Sequence, residues 1–148
     1  MEKRLWMRGY NPDVKVQPIN ALVEALPHLK WLSLPEHANG ADVFVRLSAY
    51  MDDIRIDRNR LRCTPYTFTT TYHEAMFCRA RKTTVDPCDR FALPNNVPPK
   101  WLFVIKPAKG DVLRKGTVMP AFMKNGGGLE VFFENGTSDF TLIDILRW

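Results

Sequence analysis

Four segments in the second half of the chain have the β-branched, aromatic and hydroxyl content of strands. They are PYTFTTTY around Thr67 to Tyr72, KWLFVIKP from Lys100, DVLRKGTVMP from Asp111 and LEVFFENGTSDFTLIDIL from Leu129. Turn residues separate them, so they predict a mostly antiparallel sheet, and the last contains Asn135-Gly136, the strongest short-range hairpin signal. HEAMFCRARK has the spacing of a short helix with Met76, Phe77 and Ala80 inward. TTVDPCDRFALPNNVPPK, with four prolines and two asparagines, reads as a loop.

The first half reads as a strand followed by helices. KRLWMRG is a short strand, and PINALVEALPHLKWL sets Ile19, Leu22, Val23, Leu26 and Leu29 at helical spacing, with Asn20 placed to cap and Pro27 to kink or end the helix. GADVFVRLSAYMDDIRI repeats that spacing with Val43, Phe44, Leu47, Tyr50, Met51 and Ile54 on one face. Helices packed on a late antiparallel sheet make an α+β fold. A length of 148 residues fits one domain, residues 1–148. At 45% hydrophobic, with nine Phe, four Trp and four Tyr, the chain has enough apolar surface to offset the entropy of ordering it.

A net charge of +5 and a pI of about 9.3 favour phosphate-bearing ligands, nucleic acid or an acidic partner without choosing among them. The basic residues are dispersed, as in Arg55, Arg58, Arg60 and Arg62, then Arg79, Arg81 and Lys82, a distribution that suits a solvated face as well as a nucleic-acid surface. Three cysteines, Cys63, Cys78 and Cys88, form no dense framework and point to a reduced compartment. MEKRLWMRGY lacks the features of a signal peptide, and no run reaches the roughly 18 apolar residues of a membrane span. The chain is therefore expected to be soluble, to avoid membranes and to act in a cytoplasm, with delivery as the end of a longer secreted protein left open. His73, Glu74, Cys78, Pro87 and Cys88 have the composition of a zinc deaminase signature but not its spacing. Glu74 follows His73 directly, and Cys88 is followed by Asp89, Arg90 and Phe91. Buried thiols and a surface histidine are expected there, and no metal.

Three separated pieces, LWMRGY, YTFTTTYHEA and GGGLEVFFENGTSDFTLIDI, occur in an informative order. Their sequence of an Arg-Gly at the end of a first strand, a hydroxyl-rich strand before a helix, and a glutamate on a late strand resembles the arginine, Ser-Thr-Ser, glutamate class of the ADP-ribosyltransferase superfamily. The resemblance implies an ADP-ribosyltransferase-like fold with an NAD cleft. It implies that Arg8 and Glu130 are catalytic, and that Arg8, Gly9, Thr69, Thr70, Thr71 and Tyr72 bind NAD, the substrate. It also implies a toxin-like enzyme with a macromolecular acceptor, protein or nucleic acid, and leaves room for an immunity or antitoxin protein. The residue types suit the chemistry. An arginine offers a planar fork of donors to phosphate, and a carboxylate beside the nicotinamide ribose stabilises positive charge as the glycosidic bond lengthens. Threonine hydroxyls can orient that carboxylate, and Tyr72 or Trp101 can stack on the nicotinamide ring. Each residue taken singly also has an ordinary role as a strand residue, and the rival reading is a basic α+β binding module without enzymatic activity, in which Arg8, the threonines and Glu130 are no more than that.

Many protein-modifying members of the superfamily carry Glu or Gln two residues before the catalytic glutamate, where this chain has Gly128. That departure puts arginine modification in doubt. Three consecutive glycines suit either close backbone approach to a ligand or a loop that must bend. The segment from Phe91 to Glu130, with Arg90 just before it, is also similar to the tuberculosis necrotizing toxin family of NAD glycohydrolases, through Arg90, Leu93 and Pro94, then Lys106 and Pro107, then Pro120, Phe122 and Gly126 to Gly128. Glu130 stands where that family has Gln. This second resemblance implies the same cleft with water as acceptor.

Overall fold

A computed structural model of the protein describes residues 34–81, 83–93 and 97–148. The segment KRLWMRG with Arg8 and Gly9, the helix expected over 18–32, Lys82 and Pro94 lie outside the described residues. Nine strands and two helices occur among those described. In chain order they are β1 (Glu36–His37), β2 (Phe44–Ser48), β3 (Ile56–Asp57), β4 (Arg62–Cys63), β5 (Thr67–Thr71), α1 (Tyr72–Ala80), α2 (Pro87–Arg90), β6 (Trp101–Ile105), β7 (Val112–Thr117), β8 (Leu129–Phe133) and β9 (Leu142–Arg147).

Seven strands form one sheet in the order β1-β7-β8-β5-β2-β6-β9, and every neighbouring pair is antiparallel. The fold is α+β with an antiparallel sheet. β3 and β4 pair separately as a two-stranded ribbon. One face of the sheet, through Val45, Leu47, Leu102 and Val104, packs on Ala75 and Cys78 of α1 and on Phe91 and Ala92 after α2. The other face divides between a cluster of Phe44, Leu113, Val131, Phe133 and Ala38 and a cluster of Phe103, Ile105 and Leu142 with Ile56 and Cys63 of the ribbon.

The helix expected over residues 40–56 is absent: Phe44–Ser48 is a central strand, paired with β5 on one side and β6 on the other. All five of its residues are buried. A strand covered on both faces reads as a continuous apolar run, and over so short a stretch that run mimics helical spacing. Arg46 interrupts the run without exposing it. Its Nε lies 2.9 Å from Asp53 Oδ2 and its Nη1 donates to Phe68 O at 2.9 Å, with both side chains buried.

α1 lies where the sequence places a short helix, but a different face is inward. Ala75 and Cys78 are buried, Met76 is partly buried, and Phe77 and Ala80 are exposed. Small residues let the helix approach the sheet closely, while the Phe77 ring takes the Arg81 and Arg90 guanidinium carbons at 4.2 and 5.2 Å. The segment expected as loop over 83–100 contains the single turn of α2, capped by Asp86, whose carboxylate accepts from Cys88 N–H at 2.9 Å.

β8 and β9 do not form a hairpin. Asn135-Gly136 does turn, with Gly136 at φ +72°, but the turn docks on the ribbon. A Cβ on Gly136 would lie 2.5 Å from Cys63 O, Thr137 N–H donates to that carbonyl at 3.1 Å, and Cys63 N–H donates to Thr137 Oγ1 at 2.9 Å. The chain then crosses to pair β9 with β6.

Candidate functional site

Glu130 lies in β8, opposite Gly116 of β7, and is 4% exposed. On its other side β8 pairs with β5 in the register Phe68↔Phe132 and Thr69↔Val131. Directly opposed residues share a face and alternate along the strand. Thr70 therefore shares the face of Glu130, while Thr69 lies on the other. The threonines expected to act together thus have separate surroundings. Thr69 Oγ1 donates to Val131 O at 3.0 Å, Thr70 Oγ1 donates to Leu129 O at 2.6 Å, and Thr71 caps α1 by accepting from Glu74 N–H at 3.1 Å.

Tyr72, the first helical residue, is 45% exposed. Trp101 is not beside Glu130: β5 and β2 separate its strand from β8. It packs on the ribbon cluster, with the Arg147 guanidinium 4.8 Å from its ring centre. Trp101, expected as a partner for the nicotinamide ring, therefore lies away from Glu130. Arg8 and Gly9 lie outside the described residues, so the structure brings together Thr70 and Glu130 from the expected set.

One residue that composition and spacing did not single out for this site is Glu74. Its Oε2 accepts from Arg90 Nε at 2.7 Å and from the main-chain N–H of Leu129, the residue before Glu130, at 3.1 Å. The partnership with Glu74, ahead of the cost of burial, raises the Arg90 pKa further. Thr71-x-x-Glu74 is a capping-box spacing, a sequence signal for both residues. In the structure Thr71 performs its half, and the Glu74 carboxylate reaches across to β8.

The glycine run approaches its own chain closely. Gly126 N–H donates to Asp89 O at 2.9 Å and Gly128 N–H to Arg90 O at 3.1 Å, both in α2. On the far side Gly127 N–H donates to Val118 O and Val118 N–H to Gly128 O, each at 2.8 Å. The Asp89 carboxylate adds two bonds, accepting from Asn125 N–H at 3.0 Å and from Asn125 Nδ2 at 3.1 Å. Residues 125–128 are thereby laced between α2 and the end of β7.

All three cysteines are free and buried, and His73 is exposed. Burial pushes the Cys63 thiol up to about 12 and the Cys88 thiol up to about 11, and it raises that of Cys78. Among the described residues no three of His, Cys, Asp and Glu converge as a metal site, and no helix is long and apolar enough to cross a membrane. No protein family, curated protein or solved structure matches this chain.

Proposed function

We propose that the protein is a toxin-like mono-ADP-ribosyltransferase that cleaves NAD and passes ADP-ribose to a macromolecular acceptor, protein or nucleic acid. The observation that carries the proposal is the position of Glu130: a buried carboxylate on the same sheet face as Thr70, on the strand next to the hydroxyl-rich strand that leads into α1. In the proposed reaction the bond between ribose C1 and the nicotinamide nitrogen breaks, and nicotinamide takes the bonding pair. Glu130 accepts the ribose 2-hydroxyl hydrogen bond and stabilises the oxocarbenium-like centre, which the acceptor attacks as it loses a proton. A carboxylate held away from bulk water is effective in this role, because its field is not screened and needs no reorganisation. Arg8 is assigned to the phosphates on the strength of the sequence order alone.

Hydrolysis by the same site is the second reading, and one contact favours it. A Cβ at Gly128 would fall 2.7 Å from Cε1 and 2.9 Å from Cδ1 of Phe91. At the position from which many protein-modifying members activate their acceptor this chain has no side chain, and one would have to displace the buried Phe91 ring, so an acceptor that needs no such group, water included, fits better than arginine.

Incubation of the protein with labelled NAD and a cell extract, RNA or DNA distinguishes these outcomes. Label on a macromolecule supports transfer, free ADP-ribose and nicotinamide alone support hydrolysis, and no consumption of NAD leaves the basic binding module. Glu130→Gln should lower either activity by about 100-fold or more with an unchanged melting profile. Full activity in that variant rules out the assignment.

A further inference from the structure

The β5–β8 ladder ends at Thr69↔Val131, two residues before β5 gives way to α1; Thr70 and Thr71 pair with β2. The Gly128 carbonyl accepts from Val118 N–H at 2.8 Å beside the end of β7, and the N–H and C=O of the next residue, Leu129, point to the other side, toward β5. A ladder that stops leaves main-chain donors and acceptors to be satisfied by other groups. Two side chains take the place of the missing strand: Glu74 Oε2 accepts from Leu129 N–H at 3.1 Å, and Thr70 Oγ1 donates to Leu129 O at 2.6 Å. That carbonyl belongs to the peptide joining Leu129 to Glu130.

Glu74 is itself held. Arg90 Nε sits 2.7 Å from the same carboxylate oxygen, with side-chain exposures of 30% and 14% for Arg90 and Glu74. Arg90 is fixed in turn by its own carbonyl, which accepts from Gly128 N–H at 3.1 Å, and by the Phe77 ring at 5.2 Å. A charged acceptor makes a stronger bond to a main-chain N–H than a neutral one does. α1, α2 and the first residues of β8 therefore meet at one carboxylate, one residue away from Glu130.

We propose that Glu74 is a positioning residue for Glu130: with Arg90 holding its carboxylate and Thr70 holding the next carbonyl, it fixes the main chain from which the Glu130 side chain projects. The inference rests on the NAD-cleaving role of Glu130 given above. Glu74 acts through the main chain of β8, so its loss loosens the geometry of the reacting carboxylate without removing a contact to the dinucleotide.

Nicotinamide release from NAD is measured at steady state for the wild type, Glu74→Asp, Glu74→Gln and Glu130→Gln, alongside amide exchange at Leu129. Glu74→Asp keeps the charge and the helix start but shortens the reach to Leu129. It should lower kcat by about 10- to 100-fold, the scale on which small misplacements act, leave KM for NAD unchanged and speed Leu129 exchange. Glu74→Gln keeps an accepting oxygen at full length and should recover most of the lost kcat, a rescue that a general loss of packing would not produce. If the wild type is active, Glu130→Gln is inactive and Glu74→Asp retains full kcat, the positioning role is overturned and the NAD reading stands. If the wild type releases no nicotinamide, or Glu130→Gln releases as much as the wild type, the NAD reading fails and the role of Glu74 in it fails too.

Discussion

The three glycines before Leu129 differ in what a single methyl group would meet. At Gly126, φ is +70° and an added Cβ would lie 2.5 Å from Val118 O and 2.9 Å from Met119 C, both main-chain atoms. Main chain cannot step aside as the end of a flexible side chain can, so Gly126→Ala combines left-handed strain with a clash. At Gly127, φ is +98° and nothing lies within 4 Å, which leaves the strain alone, about 1–2 kcal/mol. At Gly128 the obstruction is the buried Phe91 ring, which has to shift at a cost of about 1–3 kcal/mol for overpacking. Urea unfolding of the three alanine variants should rank Gly126 as the most damaging, and Phe91→Leu should soften the effect of Gly128→Ala. Equal losses at all three would show that the run is not packed as described. The threonines also resolve at this scale. A run of hydroxyls in sequence signals a shared pocket, but side chains alternate across a strand, so Thr70 alone keeps company with Glu130.

Arg46 and Asp53 explain how a charged residue can occupy the middle of a central strand. The guanidinium is held by two bonds to Asp53, at 2.9 and 3.3 Å, and by one to Phe68 O, while Asp53 Oδ1 also accepts from Arg55 N–H at 2.8 Å. The pair ties the stretch between β2 and the ribbon to the sheet. Removing one partner strands a buried charge, so Asp53→Ala should cost about 3–5 kcal/mol, whereas exchanging both residues for apolar ones of similar volume should cost much less. Denaturant midpoints of Asp53→Ala and of the double variant Arg46→Met with Asp53→Leu check this, and equal losses in the two would contradict it. The same pair shows why β2 was hidden in the sequence. Phe44–Ser48 is covered on both faces, and Val43, Tyr50, Met51 and Ile54 around it extend its apolar run at helical spacing, whereas β5, β6, β7 and β8 stand out by their β-branched, aromatic and hydroxyl content. Asn135-Gly136 does not give a hairpin because Thr137 just after the turn bonds to Cys63, and Thr141 and Leu142 bond to Leu61 O, on a ribbon more than 70 residues earlier. In the candidate site, the residue type and flanking pattern of Glu130 are plain in the sequence, and its burial on β8 is a structural fact. The clamp by Glu74 is not plain in the sequence, because its acceptor role depends on where β5 stops beside β8.

Across the whole molecule the sheet order sets β8, β5 and β2 side by side although they are far apart in sequence, and apolar clusters seal both faces around them. Cys63 lies in the cluster under the ribbon and Cys78 on the opposite face under α1, so thiols are buried on both sides of the sheet. Burial disfavours the thiolate, which raises Cys63 from 9.0 to about 12, with Asp53 adding to the rise and Arg46 opposing it, and raises Cys88 from 9.0 to about 11. Above pH 9 the unfolded chain gives up these protons and the native chain keeps them, so the native state binds more protons and stability falls as pH rises. The loss begins near pH 9 and continues toward pH 11 for Cys88 and pH 12 for Cys63, with a slope approaching about 1.4 kcal/mol per pH unit for each thiol. Stability in the range below pH 9 is untouched by either group. Urea unfolding of the wild type and of Cys63→Ala from about pH 8 to 10.5 isolates one share: the alanine variant should lose stability less steeply above pH 9. Parallel curves for the two proteins would mean that the Cys63 thiol ionises as readily folded as unfolded, which a side chain fully sealed beneath the ribbon does not allow.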